Sequence, residues 1–190
     1  MSEPCFMYEL EPHGWAKTVF VLDGKRHEIN HGWCENPLEP IAAVAVQLAT
    51  SGGVSHKTAL FDEEAAGYVE ASFFGGDPTL VRLARFPSGV RPHGFMNQGE
   101  EFACGVVDSF GLALDIAKAL DHILRKYGVL GYSLEWQEYY LFPLVQYLRL
   151  RLLLDQSTLA QSLAGNPGPG RFAEEMRLLQ TPPDWRSRMA

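Results

Sequence analysis

The most constraining feature of the sequence is the stretch 102–127, where a strand pattern, a helix cap and an amphipathic helix pattern follow one another. Lys118, His122 and Arg125 fall on one face of that helix. Apolar residues recur on the opposite face at steps of three and four: Ala113, Ile116, Ala117, Leu120, Ile123, Leu124 and Tyr127. The spacing therefore predicts a helix over 109–127 that lies on an apolar surface.

Both ends of this helix carry signals of their own. Asp108 or Ser109 can cap the first turn, because a short polar side chain accepts from the free amides there. Asp121 and Arg125 are spaced to form an ion pair across one turn. Gly128 supplies the permissive backbone that ends a helix.

The rest of the first 107 residues reads mainly as strands. Asp23-Gly24 predicts a tight hairpin between strands at 17–22 and 25–30, and residues before about 15 read as a surface lead-in. Asn36, Pro37 and Glu39 predict the start of a helix over 37–50. Alternating apolar residues predict further strands at 54–61, 68–74, 79–86 and 102–107. We therefore expect an α+β fold, in which two or three helices pack on one face of an antiparallel meander of five to six strands.

The C-terminal third is less regular. Pro143 suits the first turn of a helix, but Arg149 and Arg151 also alternate outward as they would on a strand over 147–152. The predicted buried line of the helix is Val145, Leu148, Leu152 and Leu159. We expect one domain over 1–164, followed over 165–190 by a linker and a tail with a short helix at 172–179.

Charge is unevenly distributed along the chain. The net charge is −7, and residues 1–76 carry 11 acidic residues against 4 lysines and arginines, whereas the remainder is balanced. An acidic surface repels nucleic-acid phosphates and anionic lipids and favours basic partners. We therefore expect a basic protein partner and neither nucleic acid nor a membrane. The alternative is an acidic surface that serves only solubility.

Three features bear on the cellular compartment. Cys5, Cys34 and Cys104 are widely spaced and form no CxxC motif, which indicates a reducing environment. The acidic N-terminus does not read as a signal peptide. The longest apolar run, 141–154, is too short to span a bilayer and contains two arginines. We expect a cytoplasmic protein.

The densest cluster of candidate metal ligands is His27, His31 and Cys34, whose imidazole and thiolate groups suit zinc. On a strand and the loop after it, only the two histidines share a face, and a fourth ligand would have to come from elsewhere. The sequence contains no GxxxxGK, GxGxxG, GxSxG or HExxH pattern, and we expect no cofactor. A small metal- or cysteine-dependent enzyme centred on these three residues is one hypothesis.

The other hypothesis is a non-enzymatic module that binds a protein. The segment 87–99 contains three glycines and two prolines and shows no periodicity, so it is predicted as a long loop. Its Phe95 and Met96 would give apolar contacts to a basic partner, and Glu63 and Glu64, in a predicted turn, would give acidic ones.

The sequence also contains several short motifs: Phe61-Asp62-Glu63-Glu64-Ala65-Ala66-Gly67-Tyr68, then Gly131-Tyr132 with Trp136, and Phe142-Pro143 before Leu148. Together they resemble a family of small uncharacterised bacterial proteins. Glu64-Ala65 stands where such proteins tend to carry Glu-Pro. The resemblance covers about residues 17–152 and implies an α+β fold and a kinship with immunity proteins, which neutralise bacterial toxins by binding them. It implies no catalytic residues.

Overall fold

The computed structural model describes residues 3–32, 35–51, 54–88, 90–92, 99–137, 140–165 and 171–185. Within these residues the chain forms seven strands and five helices. The strands are β1 (Phe6–Glu11), β2 (Trp15–Leu22), β3 (Lys25–His31), β4 (Val54–Asp62), β5 (Gly67–Gly75), β6 (Thr79–Arg85) and β7 (Glu100–Val107). The helices are α1 (Leu38–Ser51), α2 (Ser109–Glu135), α3 (Leu144–Leu154), α4 (Thr158–Gly165) and α5 (Phe172–Gln180).

The α+β class is confirmed, but the single meander is wrong. The strands form two antiparallel sheets, one in the order β1-β2-β3 and one in the order β4-β5-β6-β7. Helix α1 separates them along the chain, and the amide of Glu63 donates to the carbonyl of Asn30 at 2.7 Å where β3 meets β4. The expectation of two or three helices is also wrong, because five are present in the described residues.

The predicted surface lead-in is in fact strand β1, which pairs antiparallel with β2. Phe6, Tyr8 and Leu10 are buried, while Glu9 and Glu11 are exposed on the other face. This alternation is visible in the sequence, but it involves only three apolar residues. The prediction failed because so short an alternation gains weight only once a neighbouring strand is known.

The hairpin between β2 and β3 turns at Asp23 and Gly24, whose φ angles of 50° and 72° are those of a tight hairpin turn. The side chain of Asn36 caps α1 by accepting from the amide of Leu38 at 3.1 Å. These local predictions are confirmed, and α1 begins and ends within one residue of the expected bounds.

Helix α2 is the centre of the fold, packing against α1, α3 and β1. Asp108 caps it by accepting from the amide of Gly111 at 2.8 Å, and Arg125 donates to Asp121 at 2.8 Å. Gly128 has a φ of 71° and interrupts the helical backbone, so the regular helix ends where predicted and a short helical segment follows. Most of the predicted apolar face is fully buried, including Leu120.

Helix α3 replaces the alternative strand over 147–152, but of its predicted buried line Leu148 and Leu152 are only half-buried, and Leu159, also half-buried, lies in α4. Val145 is 61% exposed, whereas Tyr147 and Arg151 are fully buried. The rotation follows from the C-terminal segment, which covers the face of α3 that carries Arg151. Its guanidinium donates to the carbonyl of Thr181 at 3.1 Å, and Asp155 forms a strand-like bridge with Trp185.

The apolar core is continuous between both sheets and helices α1 to α3. Helix α1 packs against β4 as well as against α2. In the part of the chain that the structure describes, no helix has the length and apolar character needed to cross a membrane.

Candidate functional site

The two candidate histidines lie on β3 and occupy different environments. His31 is buried, with its Nδ1 2.9 Å from the carbonyl oxygen of Phe61 and its Nε2 2.8 Å from the hydroxyl of Thr18. A carbonyl oxygen only accepts, so Nδ1 carries the proton and Nε2 accepts from the hydroxyl. Burial lowers the pKa of His31 to about 4, against a smaller raising effect of the Phe61 carbonyl. The ring is therefore neutral near pH 7, and both its nitrogens are occupied.

The structure does not bring the histidines together. His27 is four strand residues from His31, a separation of roughly 13 Å at the usual rise of an extended chain. The His27 ring packs against the ring of Phe102 at a centroid distance of 6.1 Å. Cys34, the third candidate, lies outside the described residues. Among the described residues, no group of three or more His, Cys, Asp or Glu side chains is placed to hold a metal ion.

The candidate acidic residues lie in the turn between β4 and β5. Glu64 is exposed, whereas Glu63 is half-buried. The carboxylate of Glu63 packs closely against Gly32: a Cβ added at Gly32 would lie 2.5 Å from the Oε2 of Glu63. Asp62 is buried, and its Oδ2 is 3.7 Å from the Arg85 guanidinium. Within the described residues, the Asp62 Oδ1 and Glu63 Oε2 atoms are buried and have no hydrogen-bond partner.

A fourth carboxylate, Glu35, lies in the loop before α1 and contacts Tyr68 at the start of β5. Its Oε1 accepts from the Tyr68 hydroxyl at 3.2 Å and lies 3.2 Å from Arg91 Nη2. Arg91 also lies over the Tyr68 ring, with its guanidinium carbon 5.7 Å from the ring centroid. We call Glu35, Asp62, Glu63 and Glu64 the acidic end. Phe95 and Met96, the candidate apolar contacts, lie outside the described residues.

Ion pairs with lysine and arginine neutralise part of the excess negative charge of residues 1–76. Ion pairs hold Glu3, Glu28, Glu35, Asp62 and Glu70. Among the described residues, no ion pair is found for the other six: Glu9, Glu11, Asp23, Glu39, Glu63 and Glu64. Glu63 and Glu64 are adjacent in the same turn, so the acidic end keeps a concentrated negative charge.

A groove of about 590 Å³ lies between β4 and the start of α1. Its lining is mainly polar and consists of Glu35, Asn36, Glu39, Pro40, His56, Lys57, Thr58, Ala59, Arg91 and Tyr140. Partial burial lowers the pKa of His56 from its ordinary value. Among the described residues, no carboxylate hydrogen-bonds its ring.

The contacts among Glu35, Tyr68 and Arg91 were not predicted from the sequence, because they join residues more than 20 positions apart. The FDEEAAGY run did include Tyr68, the residue that both Glu35 and Arg91 contact. Comparisons of this chain with family models, with curated proteins and with solved structures give no match. The kinship with immunity proteins therefore stays a prediction, and the proposal of function depends on geometry and charge.

Proposed function

We infer that the protein is a non-enzymatic module that binds a basic protein through the acidic end. The observation that carries this inference is the placement of Glu63 and Glu64, which share one turn and have no ion pair within the described residues. A partner's lysine or arginine would supply the missing countercharge. Electrostatic attraction of this kind accelerates encounter more than it strengthens the final complex.

The acidic end also contains buried carboxylate oxygens. A buried carboxylate oxygen without a partner costs free energy, because it has lost its hydration without gaining a hydrogen bond. Asp62 and Glu63 each contribute one such atom within the described residues. These enclosed atoms do not face a partner themselves, so contact with a basic partner falls to the exposed carboxylate of Glu64. Kinship with immunity proteins would provide the biological setting, a basic toxin.

The enzyme hypothesis centred on His27, His31 and Cys34 gains less support. His31 uses both ring nitrogens within the fold, and His27 is roughly 13 Å away along β3. Because Cys34 lies outside the described residues, metal analysis of the purified protein is the test of this alternative. Stoichiometric zinc that is lost in the His27→Ala variant would favour the enzyme.

The inference is tested by affinity purification from the native source with three baits. These are the wild-type protein, the double variant Glu63→Lys with Glu64→Lys, and a control in which the adjacent Glu174 and Glu175 of α5 are changed to lysine. We expect wild type and control to retain the same basic protein and the turn variant to lose it. Retention by all three baits, or a partner with an acidic surface, would contradict the inference.

A further inference from the structure

Strand β4 forms one outer edge of the four-stranded sheet, and β3 covers one end of that edge. There the Phe61 carbonyl accepts from His31, and the Glu63 amide donates to the carbonyl of Asn30. Both groups belong to odd-numbered residues and point away from β5. Backbone polar groups alternate in direction along a strand, so those of Ala59 also point away from β5.

The groove of about 590 Å³ lies beside this part of the edge, because residues 56–59 form one of its walls. Glu35, Glu39 and Tyr140 contribute to the remaining lining. Four residues of extended chain span roughly 13 Å. The groove therefore follows the strand over a length suited to a short extended segment of another chain.

The charges around the edge favour a basic occupant. Lys57 is in an ion pair with Glu70 at 2.9 Å, and Arg91 is in one with Glu35 at 3.2 Å. Glu70, the partner of Lys57, is buried on β5, so the carboxylates nearest the edge are Glu35 and Glu39 in the groove and Glu63 just past the end of β4. The carboxylates of Glu39 and Glu63 remain without an ion pair among the described residues.

The edge of β1 differs, because side chains of α2 bind its backbone near both ends. The amide of Cys5, next to the strand, donates to Asp115 at 2.8 Å, and the carbonyl of Leu10 accepts from the Tyr127 hydroxyl at 2.9 Å. A covered edge is protected from pairing with another chain. On β4, no such bond is found among the described residues for the outward backbone groups of Ala59.

We propose that the partner binds by adding an extended segment, with lysine or arginine at alternate positions, to the edge of β4 at Ala59. Backbone hydrogen bonds to β4 give the affinity, and alternate cationic side chains reach Glu39 and Glu63. This proposal rests on the proposed function and specifies how the basic partner is held.

The first test uses two peptide probes on the wild-type protein. One is acetyl-(Lys-Val)₄-amide, and the other carries a methyl group on every peptide nitrogen, which keeps the charge but removes the donors. We expect NMR amide shifts at 57–59, slower hydrogen exchange at Ala59, and binding of the methylated peptide about tenfold weaker, as loss of a few hydrogen bonds implies. Equal affinities, or no binding of either peptide, would overturn the proposal.

The second test uses Ala59→Pro, which removes the outward amide, with Ala59→Val as the matched control. Proline is tolerated on an edge strand where its nitrogen faces away from the sheet, and melting temperatures verify that both variants fold. We expect the proline variant alone to lose the unmethylated peptide. Equal peptide binding combined with loss of the basic partner from the turn variant would overturn edge pairing but leave the proposed function intact. An unchanged turn variant would overturn the function itself.

Discussion

At the scale of single residues, His31 joins three strands. It belongs to β3, accepts from Thr18 in β2 and donates to the Phe61 carbonyl in β4. Its ring is neutral in the fold because burial lowers its pKa to about 4, from about 6.5 in the unfolded chain. The unfolded state therefore binds a proton below about pH 6.5 that the folded state does not bind until about pH 4.

The stability that depends on neutral His31 should accordingly be complete above about pH 6.5 and should fall as the pH drops towards 4. The pKa difference corresponds to about 3 kcal/mol of unfolding free energy. Urea unfolding of wild type and of His31→Gln, between pH 7.5 and 4, measures this contribution. The wild type should lose about 3 kcal/mol more than the variant over that interval, and parallel pH profiles would show that His31 is not the group responsible.

The two faces of α2 give a second residue-level prediction. Leu120 is fully buried, and Leu120→Ala should lower the unfolding free energy by about 2 to 5 kcal/mol, because it leaves a cavity in the core. His122 is exposed on the opposite face, so His122→Ala should change it by less than about 0.5 kcal/mol. Denaturant midpoints that shift equally in both variants would contradict this orientation of the helix.

At the scale of elements, α3 owes its orientation to a buried ion pair. Arg151 donates from Nε to Asp155 at 2.7 Å and from Nη1 to the Tyr147 hydroxyl at 3.2 Å. Burial opposes ionisation of Asp155, but the amides of Ser157 and Asp184, together with the arginine, outweigh it and lower its pKa. Arg151 and Asp155 also bind the C-terminal segment to α3, through the carbonyl of Thr181 and the amide of Asp184.

Arg151→Ala should therefore lower the unfolding free energy by about 3 to 5 kcal/mol, because it leaves the buried carboxylate of Asp155 without its counterion. Arg149→Ala is the matched control, since Arg149 is exposed on the same helix and should cost little. Hydrogen exchange should also accelerate at Gln156 and Asp155 in the Arg151 variant. A small change in both variants would mean that the pair does not fix the segment.

The elements also show what can be predicted from the sequence. The turn at Gly24, the Asn36 and Asp108 caps and the helix end at Gly128 depend on residues close in the chain, and all four were predicted. The burial of Arg151 depends on a carbonyl 30 residues away, so the alternation around it placed it outward. Similarly, no local pattern links Glu35 to Tyr68, and the acidic end was predicted only as its Glu63 and Glu64 turn.

At the scale of the whole molecule, the chain forms two sheets and a continuous core, and its negative charge is distributed unequally over the surface. Five of the carboxylates of residues 1–76 are in ion pairs, so the unneutralised acidic surface is smaller than the sequence predicts. Glu63 and Glu64 remain together in the turn that follows β4. The central claim is therefore that this one location, and not the overall net charge, attracts a basic partner.

The most direct test measures how fast the purified basic partner associates with three forms of this protein as the salt concentration is raised from low to physiological. These are wild type, the Glu63→Lys and Glu64→Lys variant, and the equally charged Glu174→Lys and Glu175→Lys control. Screening by salt should slow association of wild type and control, whereas the turn variant should associate slowly throughout, with a nearly unchanged melting temperature. Equal rates and salt dependences for the two variants would contradict the claim.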